Sequence, residues 1–172
     1  MSHDASFERE TLPWFDDVYR FACSLTRNHT DAEDLVQETY LRAYRSWHTF
    51  IPGSNALRWL FTICRHRHIH EVLRTRRHAE YEDDGVASTV DIHEQTAERD
   101  LVAVVSRAID RLPEPFRSTI VLVDVEDQTY ASAAAICGVP VGTIRSRLFR
   151  ARRLIRGMVA HTFTSATGEI PS

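Results

Sequence analysis

Apolar positions along this chain recur at three- and four-residue spacing, the signature of amphipathic helices. The first periodic stretch covers residues 12–27, with Thr11 placed to cap it and Pro13 acceptable because it falls in the first turn. Asn28, His29 and Thr30 interrupt it. A second helix is predicted over residues 31–47, with Asp31, Glu33 and Asp34 in its first turn, where the helix dipole favours carboxylates. Val36, Tyr40, Ala43 and Trp47 form its inner stripe. After the loop Ile51-Pro52-Gly53-Ser54, a third helix runs over residues 55–77 with Asn55 as its cap. Leu57, Leu60, Phe61, Cys64 and Val72 share one face, with His68 at its middle, while Trp59, Ile63, His66 and His70 fall on another. Periodicity lapses over residues 78–97 and resumes in helices at 98–111, 114–125, 129–137 and 140–159. The polar tail from His161 reads as frayed. The expected fold is all-α: two small helical domains, residues 1–78 and 98–160, joined by a flexible linker at 79–97 and followed by a flexible tail at 161–172.

Charge sharpens this picture. The net charge is only -3, but the chain contains no lysine, so every fixed cation is an arginine. Residues 58–77 hold six arginines against Glu71, and residues 141–156 hold six with no acid. The stretch between them, residues 80–100, carries eight acids and only Arg99. Two basic blocks separated by an acidic one have the footprint of phosphate binding at two places.

The second basic block coincides with a helix-turn-helix. Residues 130–137 make a short helix, Gly138 ends it, and Pro140 starts the next. Ala134, Gly138 and Ile144 have the required spacing: a small residue at the helix crossing, glycine in the turn, and a branched apolar residue between the helices. On the second helix Ile144, Leu148, Ala151 and Ile155 point inward, leaving Arg145, Ser146, Phe149, Arg150 and Arg153 outside. Arginines there can grip phosphates or pair with guanine, and Phe149 suits a thymine methyl.

The segments Leu112-Pro113-Glu114-Pro115-Phe116-Arg117, Val121-Leu122-Val123-Asp124-Val125-Glu126 and residues 138–152 resemble domain four of extracytoplasmic-function sigma factors, the small branch of the sigma-70 family. Residues 31–43 independently resemble the polymerase-binding helix of domain two in that family. Trp59-Leu60-Phe61-Thr62-Ile63 resembles the start of its promoter-melting helix. The resemblance implies that Asp34, Leu35, Gln37 and Glu38 bind the beta-prime clamp helices of core RNA polymerase. It also implies contact between domain four and the beta flap. It places Trp47, Phe50, Asn55, Arg58, Trp59, Arg65, Arg74, Arg76 and Arg77 at the -10 element, where flipped bases need pockets and stacking surfaces. Thr143, Arg145, Ser146, Phe149, Arg150 and Arg153 fall at the -35 element. It further implies promoter DNA and an anti-sigma factor as partners, as in the stress-responsive groups of the family. The chain departs from the pattern in two places. Residues 131–135 form an unusually small, uncharged first helix of the turn motif, and His66, His68 and His70 replace Asn or an aromatic.

Other classes of function find little support. Cys23, Cys64 and Cys137 are too few and too scattered for a disulfide framework or a cysteine-rich zinc site. Cys64 with His68 and His66 with His70 are the only pairs able to share a ligand on the third helix, and neither has a third ligand nearby. There is no phosphate-cradling glycine loop and no nucleophile motif. The chain reads as a non-enzyme without cofactor or metal. The N-terminal residues carry no secretory pattern and no apolar run is long enough to span a bilayer, so a cytoplasmic protein without membrane insertion is expected. The alternative is a stand-alone helix-turn-helix regulator with an N-terminal interaction module.

Overall fold

A computed structural model describes residues 3–79 and 101–166, and these residues form helices joined by short turns, with no strand among them. The elements are α1 (His3–Thr11), α2 (Phe15–Thr26), α3 (His29–Arg45), α4 (Ala56–Ala79), α5 (Leu101–Asp110), α6 (Phe116–Ile120), α7 (Tyr130–Cys137) and α8 (Val141–Ala166). Most of the expected linker and the end of the tail lie outside the described residues.

The N-terminal unit is built on α2, α3 and α4, which pack on one another. Its core holds Val18, Phe21, Leu25, Val36, Leu60, Phe61 and Cys64, with Phe21 and Phe61 in ring contact at 4.7 Å. Asn28 starts α3 by accepting hydrogen bonds from the Thr30 and Asp31 amides at 2.8 and 3.4 Å. The residues expected only to break the chain therefore also nucleate the next helix. Asn55 caps α4 as expected, its Oδ1 accepting from the Arg58 amide at 2.8 Å. Thr11 does not cap α2: its hydroxyl donates back to the Phe7 carbonyl at 2.7 Å, within an additional helix, α1. Leu12–Trp14 form a 3-10 turn between the two. Proline's fixed geometry fits that tight turn, and the α-helix proper begins at Phe15.

The C-terminal unit packs α5, α6 and α7 around α8. Thr129 caps α7 through its hydroxyl, which accepts from the Ser132 amide at 3.1 Å. Gly138 ends α7 in the left-handed region at φ 65°, and the Val139 amide reaches back to the Ala134 carbonyl at 3.1 Å. Ile144, Leu148 and Ala151 are buried, and Ile155 is partly buried against the same core. The α8 helix continues to Ala166, past the point where fraying was expected. Met158 and Val159, the last residues of the expected helix, are partly buried, and residues 160–163 beyond them are exposed.

The two units share a seam. Helix α2 packs on α6 and on the π-helical turn Val121–Val125, and α4 packs on α7. Arg117 of α6 is buried; its Nη2 donates to the Leu25 carbonyl of α2 at 2.9 Å and its Nη1 lies 3.4 Å from the Leu112 carbonyl. From the other side, Arg27 Nη2 donates to the same Leu112 carbonyl at 2.7 Å.

His68 of α4 is largely buried near the same seam, facing Glu114, Arg117 and Arg65. Burial first, then Arg117 and Arg65, hold its imidazole below the ordinary 6.5, while Glu114 opposes them. The folded state therefore binds fewer protons than the unfolded one as the pH falls through 6.5, and stability drops in that window. His68→Gln should flatten the pH dependence of the melting temperature between neutral and mildly acidic pH. Leu148→Ala should cost about 2–5 kcal/mol in denaturant unfolding, because Leu148 fills the centre of the C-terminal core.

Candidate functional site

Helix α8 presents two different sides. Its inner side is the buried stripe already described. On its outer side Arg145, Ser146, Phe149, Arg150 and Arg153 are all exposed, Phe149 to 63%. A phenylalanine so exposed among arginines is held there by register rather than by packing, and it is free to meet an apolar group on a ligand. Thr143 is partly covered, and its carbonyl accepts from the Ser146 hydroxyl at 3.0 Å. Arg152 is set apart from this face: it forms a two-pronged pair with Asp124 at 2.7 and 3.0 Å, which raises its pKa further above the ordinary value. Gly142, in the first turn, has open space where a side chain would stand.

The aromatic residues expected at the second DNA contact form one cluster. Trp47 stacks on Phe50 with centroids 4.6 Å apart and planes at 10°. Trp59 approaches both, at 5.8 and 5.2 Å, and Phe7 closes the far side of Trp47 at 5.3 Å. Phe50 is buried, whereas Trp47 and Trp59 are partly exposed. Phe50 therefore builds the platform, and the accessible ring surface belongs to Trp47 and Trp59. Arg58 is exposed beside them. Asn55 is exposed too, but its oxygen is committed to the helix cap. Arg65 points elsewhere, its Nη1 donating to the Cys137 carbonyl of α7 at 3.3 Å. Arg74 pairs with Glu71 at 2.6 Å on the surface. The side chains of Arg76 and Arg77 lie outside the described ones.

On α3, Asp34, Gln37 and Glu38 are exposed while Leu35 is buried beneath them. They divide between two concavities. Asp34 and Glu38 edge a groove of about 540 Å³ between α3 and α4, together with Asp31, Glu71 and Arg67. Arg67 crosses it to Glu38 at 3.2 Å. Gln37 edges a larger groove of about 940 Å³ between α1, α2 and α3. Its floor is apolar and aromatic, including Phe7, Leu12, Phe15, Tyr40 and Tyr44, and its rim carries Asp4, Glu8, Asp16 and Glu33. Sequence reasoning missed this second groove because one wall of it, Asp4, Phe7 and Glu8, belongs to α1. The exposed apolar pair Leu12 and Phe15, bracketing a proline, was the available signal.

Among the described residues no three His, Cys, Asp or Glu side chains come together as a metal site. Cys64 is fully buried and its thiol is pushed up to about 12 by desolvation, so it is an inert core residue. No helix of the described residues is long and apolar enough to cross a membrane.

Comparison with known proteins gives the same two units. The pattern of Sigma-70 region 2 matches residues 14–78, and that of Sigma-70, region 4 matches residues 103–155. The chain is 41% identical over 140 residues to the ECF RNA polymerase sigma factor EcfG of Rhodopseudomonas palustris, covering 81% of this chain and 77% of that protein. It is 42% identical over 144 residues to the ECF RNA polymerase sigma factor SigC of Mycobacterium tuberculosis, covering 79% and 74%. Among solved structures it is similar to the sigma factor RpoE of Bartonella quintana, solved in complex with the anti-sigma factor NepR. That match has a TM-score of 0.79 at 33% identity and covers 90% of this chain and 97% of the other.

These surfaces differ in how substitution should affect the fold. Phe50→Ala should lower stability by about 3–5 kcal/mol, as expected for a buried aromatic anchor. Phe149→Ala should stay within about 0.5 kcal/mol of the unchanged chain. Urea unfolding of both variants checks the contrast.

Proposed function

The chain belongs to the extracytoplasmic-function sigma factors of the sigma-70 family, and from that premise we propose how its surfaces divide the work of promoter-specific initiation. The observation that carries the assignment is the pairing of two unlike faces in one chain: an acid-edged face on α3 and an acid-free arginine face on α8. Asp34, Gln37 and Glu38 dock on the beta-prime clamp helices of core RNA polymerase, with Leu35 supporting them from the core. Domain four sits near the beta flap. Arg145, Ser146, Phe149, Arg150 and Arg153 read the -35 element in the major groove, with Thr143 at the entry of the helix. Trp47 and Trp59, on the platform made by Phe50, hold an unpaired base of the -10 element, and Arg58 contacts the adjacent phosphates.

The role is that of a cytoplasmic binding factor rather than an enzyme, and its activity is controlled by an anti-sigma factor. The acid-rimmed apolar groove beside Gln37 supports a protein partner on domain two. A stand-alone regulator is not favoured, because both sigma regions are present in family order.

Arg150→Ala should weaken -35 recognition by about 1–3 kcal/mol and relax selectivity at one position. A promoter-binding titration with polymerase present reads this, and unchanged affinity and selectivity would refute the register. Gln37→Ala should reduce core polymerase affinity in a pull-down while leaving isolated domain-four DNA contacts intact; equal binding by mutant and unchanged chain would remove Gln37 from the docking face.

A further inference from the structure

One arginine on the outer side of α8 does not share the freedom of its neighbours. Helical spacing puts Arg145, Phe149, Arg152 and Arg156 on one stripe, because seven residues come close to two full turns. All four are exposed. Among the described residues, the side chains of Arg145, Arg150, Arg153 and Arg156 have no hydrogen bond or ion pair. Arg152 instead gives two donors to the Asp124 carboxylate, at 2.7 and 3.0 Å. Asp124 comes from the π-helical turn Val121–Val125, and Tyr130 at the start of α7 adds a hydrogen bond to the same guanidinium.

Folding stability does not account for this pairing. The two side chains are 44% and 33% exposed, and ion pairs so open to water add little to folding. The register of α8 is already set by the buried stripe of Ile144, Leu148 and Ala151. What the pair does fix is the direction of one cation, because two parallel charge-assisted bonds hold the guanidinium plane. A phosphate reaching Arg152 would have to displace the carboxylate seated on it and would meet that carboxylate's own charge. Base edges are read from the start of a recognition helix, so a side chain two turns past Arg145 falls at the DNA backbone. A free arginine at that place would add affinity for any duplex, whatever its sequence.

We propose that Asp124 withholds Arg152 from the DNA backbone and so limits the sequence-independent affinity of the -35 reading helix. The pairing rests on the distances given; its consequence rests on the reading of α8 under Proposed function. As a unit the pair is neutral, so the helix approaches phosphates with one cation fewer than its sequence carries. A backbone contact tightens every duplex alike, so releasing Arg152 acts equally on promoter and unrelated DNA and leaves the base contacts of the other residues as they are.

Salt titrations test this, with the full chain bound to core polymerase on a promoter duplex and on an unrelated duplex of equal length. Asp124→Asn removes the charge at constant size and frees Arg152. Between about 50 and about 200 mM salt its affinity should fall about three- to fourfold more than that of the unchanged chain, the mark of one added phosphate contact. At low salt it should bind both duplexes more tightly by a similar factor. Adding Arg152→Gln to Asp124→Asn should restore the slope and affinity of the unchanged chain. Asp124→Ser repeats the comparison with a second neutral residue, and far-UV circular dichroism confirms retained helix in each variant. An Asp124→Asn slope equal to that of the unchanged chain would overturn the proposal, as would a double variant that keeps the gain or falls below the unchanged chain. Arg150→Ala, run in parallel, separates the two levels. If it weakens promoter binding while Asp124→Asn changes nothing, the withholding role alone is lost; if it too changes nothing, the α8 face is lost and the proposal with it.

Discussion

A buried guanidinium needs acceptors, and Arg117 finds them for its two terminal nitrogens, while its buried Nε has none. It always carries its charge and offers five donors, so its surroundings must supply oxygens. The Leu112 carbonyl and Glu114 come from its own unit, and the Leu25 carbonyl comes from the other. Burial lowers its pKa, with Arg27 adding to the effect and Glu114 opposing it. Removing any one acceptor would leave a buried donor unpaired, which is far more costly than losing a surface hydrogen bond. The two terminal nitrogens of this side chain tie the position of α2 to that of α6.

With the frame fixed, function is divided by helix side. On α8 the buried stripe of Ile144, Leu148 and Ala151 sets the register, and the same register turns Phe149, Arg145, Arg150 and Arg153 outward. On α3 the buried residues Ala32, Leu35, Val36 and Thr39 leave Asp34, Gln37 and Glu38 exposed. Neither face could be altered by a one-residue shift without driving charges into the core. The aromatic group of Trp47, Phe50 and Trp59 works differently: one ring is sacrificed to packing so that two others are held in place.

The helix-turn-helix was legible in the sequence because each of its parts leaves a local mark. Ala134, Gly138, Pro140 and Ile144 sit at positions where turns, helix starts and crossing helices demand those residue types. The caps at Asn55 and the inner stripes of α3 and α4 were legible for the same reason. The seam was not. Arg20, Arg27, Arg117 and Glu126 look like ordinary solvated charges when read in order, and only folding brings residues some ninety positions apart into contact. Helix α1 was missed because its composition is polar and its one buried apolar side chain, Phe7, gives no periodicity. The extension of α8 from residue 160 to Ala166 was missed because that stretch is rich in Thr, Ser and Ala and carries no apolar stripe.

In the proposed role, two separate faces of one chain grip two separate promoter elements. Photo-cross-linking from position 58 and from position 149, in the full chain bound to core polymerase on promoter DNA, addresses it directly. Cross-links should fall at two sites separated by about 25 base pairs, or roughly 85 Å of helix, with position 149 upstream. Cross-links from both positions to a single short site would contradict it.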